Sequence, residues 1–178
     1  MQSGSVERLI LQEFRHCVQN IDNMIIMPSA RSIFLWQITF IPFSGPYSDL
    51  MVTFTVSFEN FPSVTPKVVF SHNIHHPMVN SSSCIFDTSS QFGEWSVRER
   101  VMKLITFVYQ AFIIVPSGTG AINHEAEYDI KKGDEYFRKK ILDKYNTNPT
   151  ISDDNELSRP SKWNNPKERM SKIMLANK

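Results

Sequence analysis

Two thiols, three clustered histidines and one carboxylate set the chemistry this chain could attempt. Cys84 sits close before Asp87, and His72, His75 and His76 lie a short way upstream. A cysteine thiolate activated by a nearby cation is a nucleophile that can carry an acyl group as a thioester. The same residues could be read as metal ligands. Metal sites, however, need convergent geometry and a supporting shell, which neighbours on one loop seldom provide. No metal and no cofactor is expected. Neither Cys17 nor Cys84 belongs to a Cys-x-x-Cys pair, and two cysteines make no disulfide framework, which points to a reduced, cytoplasmic setting.

The segments that must position these residues can be read from periodicity. Val6, Leu9, Ile10, Phe14, Cys17 and Val18 recur at helical spacing, with Ser5 as an N-cap, so a helix is expected over about 5–20. Cys17 lies on its apolar face and reads as a small core hydrophobe. Four strands follow: Met24 to Pro28, Ser32 to Phe43, Met51 to Phe58 and Lys67 to Phe70. The third alternates Val52, Phe54, Val56 and Phe58 with Thr53, Thr55 and Ser57, as a half-buried strand does. Ser71 to Trp95 has no period and reads as a long structured loop, the kind that usually serves a function. Helical spacing returns from Val97 to Val115 and is stopped by Pro116-Ser117-Gly118. Glu125 to Lys144 is amphipathic, and Gly133-Asp134 can divide it. The stretch from 146 to 160 reads as a polar linker, and a short helix is expected from Lys167 to Leu175 behind Pro166.

Segregated strands and helices predict an α+β domain over residues 1–145 with an antiparallel meander sheet, followed by a linker and a short helix over 146–178. The bulk numbers agree with one domain. The chain has 178 residues, 41% hydrophobic and 21% charged, with net charge +1. That balance leaves no electrostatic footprint for nucleic acid or an anionic membrane. Val101 to Val115 is interrupted by Lys103 and Gln110 and falls short of the roughly 20 apolar residues of a membrane span, so no membrane insertion is expected.

The order of the motifs resembles the ubiquitin-conjugating (E2) fold over roughly residues 5–145. Phe61-Pro62-x-x-x-Pro66 leading into Lys67-Val68-Val69-Phe70 looks like the family's turn into its fourth strand. His76-Pro77 resembles the start of its His-Pro-Asn motif, Trp95-Ser96 its Trp-Ser-Pro loop, and Ile122-Asn123-His124-Glu125-Ala126 its Leu-Asn-Pro-Glu-Ala helix start. The resemblance implies a catalytic Cys ten residues after the His and two before an Asp. Counted from Asp87 that position is Ile85, and counted from His76 it is Phe86. The family's Asn, which supports the oxyanion, is Met78, whose side chain cannot donate a hydrogen bond. The acidic residue before the helix start becomes Gly120. The ligase-docking aromatic becomes Ser63, and the Pro and Ala of the docking loop become Val97 and Arg98. Met78, Cys84, Ile85, Asp87 and Gly120 thus read as a vestigial site without catalytic residues. A local shift of one or two residues would instead place Cys84 at the active position.

Further details are similar to a non-catalytic subgroup, the fused toes or AKT-interacting proteins. They are Arg31-Ser32 with Trp36, the Tyr47-Ser48-Asp49 turn, His76-Pro77-Met78-Val79 and Trp163-Asn164-Asn165-Pro166 before Glu168-Arg169-Met170. That likeness implies an adaptor, associated with endosomes through a Hook-family coiled-coil protein and the fused-toes-and-Hook-interacting protein, in a complex linking vesicles to dynein. Trp163, Met170, Ile173 and Met174 are then the partner-binding candidates, since aromatic and Met side chains suit such surfaces. Alternatively this tail folds back on its own domain. Two other functions stay open: a variant that binds ubiquitin or a peptide, and an active enzyme using Cys84.

Overall fold

In the computed structural model, residues 3–147 are described apart from Val97 and Thr119. Helix α1 (Ser3–Asn20) is followed by strands β1 (Met24–Pro28), β2 (Leu35–Phe40), β3 (Val52–Ser57) and β4 (Lys67–Phe70), then α2 (Val101–Ile113), α3 (His124–Ile130) and α4 (Asp134–Thr147). The sheet is antiparallel throughout, in the order β1-β2-β3-β4. This is the α+β meander that the pattern of the sequence predicts. The expected linker from 146 and the tail helix with Trp163, Met170, Ile173 and Met174 lie outside the described residues, except that α4 itself runs on to Thr147.

Alternation decides which face of the sheet is buried. Trp36, Ile38 and Phe40 of β2 point inward with Val52, Phe54 and Val56 of β3 and Val68 and Phe70 of β4. Helix α2 lies across them, contributing Leu104, Ile105, Val108 and Phe112 to the same core. Phe112 meets Phe40 at 5.6 Å and Phe70 at 5.3 Å between ring centroids. Such aromatic pairs add to the burial of their area. Cys17 is buried here as expected, and burial together with the charge of Glu13 pushes its thiol up to about 12.

Two elements are shorter than their sequence pattern. β2 begins at Leu35, because Ser32 closes a turn in which its hydroxyl accepts from the Phe34 N–H and its carbonyl from the Leu35 N–H. It ends before Pro42, which has no N–H to continue a ladder. Helix α2 starts at Val101 rather than near 97. Its N-cap residue, Arg100, makes no side-chain cap. The cap comes from α1 instead: Glu13 accepts from the Val101 N–H at 3.0 Å with one oxygen and from Arg100 Nη1 at 2.6 Å with the other. Glu13 is buried, so its charge is held by a guanidinium, a backbone donor and the positive end of the helix. Gly133, at φ 108°, separates α3 from α4.

Replacing Glu13 by Ala removes the cap and strands the buried Val101 N–H, while the half-exposed Arg100 guanidinium turns to water. The expected cost is about 1–3 kcal/mol, seen as a lower urea midpoint with an unchanged m value. A variant as stable as the parent would show that α2 needs no cap from α1.

Candidate functional site

The loop after β4 is built around a buried turn. His76 is fully buried and stacks on Phe112 with ring centroids 4.7 Å apart. Its Nδ1 accepts from the Met78 N–H at 3.1 Å, so the ring proton sits on Nε2, which donates to the Ala111 carbonyl at 3.0 Å. Burial lowers its pKa to about 4, and the ring is neutral at pH 7. The next carbonyl, that of Pro77, accepts from the N–H groups of both Ile122 and Asn123 at 3.0 Å. Asn123 in turn caps α3 by accepting from the Ala126 N–H. One His-Pro turn therefore ties the loop to α2 on one side and to α3 on the other.

The residues named as a vestigial site converge only in part. Met78 and Asp87 face each other across a short hairpin in which the Asp87 N–H donates to the Met78 carbonyl at 2.8 Å and the Asn80 N–H to the Ile85 carbonyl at 2.9 Å. Asn80 closes the tip, its side-chain oxygen accepting from Ser82 and Ser83. The hairpin is stitched to the edge of β4: Phe70 donates to the Cys84 carbonyl and Phe86 to the Val68 carbonyl. Met78 is buried in the core cluster, and Phe86 packs against Phe70, His76 and Phe107. Ile85 is half-buried, and Gly120 is exposed with open space where a side chain would be.

Cys84 is half-buried with its backbone in the left-handed region, at φ 57°. Burial raises its pKa above the ordinary thiol value, the opposite of what an activated nucleophile needs. The neighbouring imidazoles do not help. His75 bonds Asp129 at 3.1 Å, and its pKa is lowered, first by burial and then by Lys144. His76 is occupied as described. Among the described residues, no group of three His, Cys, Asp or Glu side chains could hold a metal ion.

A second feature lies at the opposite end of the sheet. A groove of about 470 Å³ runs between α1 and the Trp95 loop, lined by Leu9, Gln12, Glu13, Phe61, Pro62, Trp95 and Arg98 to Arg100. Trp95 is buried, and its indole N–H has no partner among the described residues. Ser63 stands exposed on the turn beside it, as does Arg98, while Val97 is outside the described residues. The groove was not foreseen from the sequence, and neither was the buried His75–Asp129 pair, whose partners are 54 residues apart. The one local signal bears on the groove alone: Glu13 stands at helical spacing with Ile10 and Cys17, on the apolar face of α1.

A family model described as ubiquitin-conjugating enzyme matches residues 9–145. The chain belongs to the ubiquitin-conjugating enzyme family. Within that family it is an E2-like variant resembling the AKT-interacting protein. It is 26% identical to the human AKT-interacting protein over 142 residues, 78% of this chain and 48% of that protein. It is 31% identical to the Anopheles gambiae crossbronx homolog over 112 residues, 58% of this chain and 49% of that protein. The chain thus spans about half the length of the curated relatives it matches. A solved Plasmodium yoelii structure assigned to the ubiquitin conjugating enzymes superposes with a TM-score of 0.68 at 18% identity, covering 79% of this chain and 93% of that one. At that identity it speaks for the fold alone.

The buried imidazole is expected to make the stability of this domain depend on pH. With His76 at about 4 in the folded chain against 6.5 ordinarily, the unfolded chain binds a proton between those values that the folded chain does not. Stability is therefore expected to fall as pH drops from about 6.5 toward 4, by up to about 1.4 kcal/mol per unit. His72 and His75, also lowered, act in the same direction. Urea unfolding at pH 7, 6 and 5 measures the slope. A His76→Gln chain should show a shallower one, and equal slopes would remove His76 as the cause.

Proposed function

We propose that this chain is a catalytically inactive E2-like adaptor, one that uses the ubiquitin-conjugating scaffold to bind proteins. The observation that carries this is the Met78–Asp87 hairpin. The positions of the family's oxyanion donor and nucleophile hold Met78 and Ile85, side chains that neither donate a hydrogen bond nor attack a carbonyl. Burial shifts the pKa of the one thiol of the hairpin, Cys84, upward, away from the thiolate a nucleophile needs. Gly120 offers no carboxylate to an incoming amine.

The partner class follows the resemblance to the AKT-interacting protein. The chain would serve beside a Hook-family coiled-coil protein and the fused-toes-and-Hook-interacting protein, in a complex that links endosomal vesicles to dynein. Its place would be cytoplasmic and peripheral to endosomes; no helix of the described residues is long and apolar enough to cross a membrane. A coiled-coil partner offers an amphipathic helix, and such a helix packs its apolar face into a groove. Trp163, Met170, Ile173 and Met174 supply the aromatic and Met side chains suited to that contact.

Two measurements test the two halves separately. Incubated with activating enzyme, ATP and ubiquitin, the chain should form no thiol-sensitive adduct. An adduct lost in Cys84→Ser would make it an enzyme. A Hook C-terminal fragment should retain the full chain in a pull-down, with Trp163→Ala weakening retention about tenfold or more. Failure of every Hook fragment, alone or with the third subunit, would end the adaptor assignment.

A further inference from the structure

Two long charge-free stretches meet at one point of the fold. From Ser32 to Ser48 and again from Leu104 to Asn123 the chain carries no Asp, Glu, Lys or Arg. They touch where the β2–β3 loop abuts the end of α2. Gly45, at φ 84°, lies so close to Ile113 that a Cβ there would stand 2.4 Å from the Ile113 carbonyl oxygen. Only glycine fits. Two residues before Gly45 and one after Ile113 come the two most exposed large apolar side chains of the described residues, Phe43 at 77% and Ile114 at 78%. The loop is held firmly in this position. Tyr47 is buried and donates to the His75 carbonyl, and Arg138 of α4 donates to the Pro46 carbonyl at 3.1 Å and the Ser48 hydroxyl at 2.8 Å. Rigid, uncharged and apolar, this patch has the composition of an interface core, where charged residues are depleted.

We propose that the patch around Phe43 and Ile114 is the seat of this chain's own C-terminal segment, Trp163 to Leu175. Where α4 ends and how much chain follows argue for it. Arg138 bonds Pro46, and nine further helical residues reach Thr147, so α4 ends within roughly 25 Å of the Gly45–Ile113 contact at 1.5 Å per residue. Trp163 follows Thr147 by 16 residues. Sixteen residues taken as a random coil have a root-mean-square span of about 20–24 Å. Effective concentration is greatest when span and linker length match, reaching the order of millimolar. The delivered segment has the right character. Met170, Ile173 and Met174 fall on one side at helical spacing, with Lys167 at its border and Glu168 and Lys172 opposite. The groove beside Trp95 is a poorer seat, since Glu13, Arg98, Glu99 and Arg100 line it.

The seat is a contact of the free chain and stands independently of the adaptor assignment. If a partner also takes Trp163, it must lift the segment from the patch, and the two contacts compete. The test is NMR on the full chain without any partner, with labelled Met and Ile methyls and Phe rings. Contacts are expected from the Met170 or Met174 methyls to the Phe43 ring or the Ile114 methyl, and a Trp163 indole resonance away from its random-coil position. Phe43→Asp and Ile114→Asp should abolish the contacts and return Trp163 to random coil while the core resonances stay. Met170→Asp with Ile173→Asp, outside the domain, should shift the Phe43 ring in the same way. Tail methyls at random-coil positions in the parent chain would overturn the proposal, as would contacts to another surface. So would contacts seen only between differently labelled copies in a mixed sample, which would make the patch a dimer interface.

Discussion

A neutral imidazole under an aromatic ring holds the chemical face of this domain together. His76 gives up its solvation to stack on Phe112, and that is tolerable only because both ring nitrogens are bonded, one to the Met78 N–H and one to the Ala111 carbonyl. Each bond left unmade in such a place costs about 1–3 kcal/mol. The pair fixes the tautomer and the direction in which Pro77 presents its carbonyl to α3. A His-Pro turn of this kind stabilises the scaffold whatever the neighbouring residues do chemically. Its presence beside Met78 rather than Asn is therefore a statement about folding, and the chemistry has to be judged from the side chains around it.

Glu13 plays the matching part at the other end of the sheet. A buried carboxylate is costly unless it is paired, and here two donors and a helix terminus hold it. It ties α1 to the start of α2 along the wall of the groove beside Trp95. The two ends differ in kind. At His76 a polar group is buried among packed aromatic rings, whereas at Glu13 a carboxylate is buried where it caps the start of a helix.

Much of this was legible in the sequence because periodicity reports burial. The alternation of Val52, Phe54 and Val56 became the inward face of β3, and the spacing of Val101, Leu104, Ile105, Val108 and Phe112 became the buried side of α2. Gly133 divided the last helical stretch where it was expected to. What escaped has a common cause. The Glu13–Val101 cap, the His75–Asp129 pair and the Arg138–Ser48 bond join residues 88, 54 and 90 positions apart. Each is a single polar contact closed by tertiary packing, and no local pattern encodes it. β2 is shorter than its pattern for a local reason, since the Ser32 turn and Pro42 outweigh the β-branched and aromatic residues around them.

The counts from His76 and from Asp87 disagree by one residue, and the hairpin shows how that difference is absorbed. Both anchors are fixed, His76 by its ring bonds and Asp87 by its N–H on the Met78 carbonyl. The slack lies between them, in the turn from Asn80 to Cys84 that the Asn80 side chain closes. Beyond it, residues 84–86 are pinned to β4 by two backbone bonds, from Phe70 to Cys84 and from Phe86 to Val68. Sliding Cys84 into the place of Ile85 would break that register, and a one-residue slip turns every side chain to the other face. Phe86 would leave its contacts with Phe70, His76 and Phe107 for solvent, at a cost of about 1.5–3 kcal/mol for the lost burial alone. The two ladder bonds would have to be remade as well. The position of Cys84 is thus set by the packing of its second neighbour, and the thiol stays half-buried at the edge of β4.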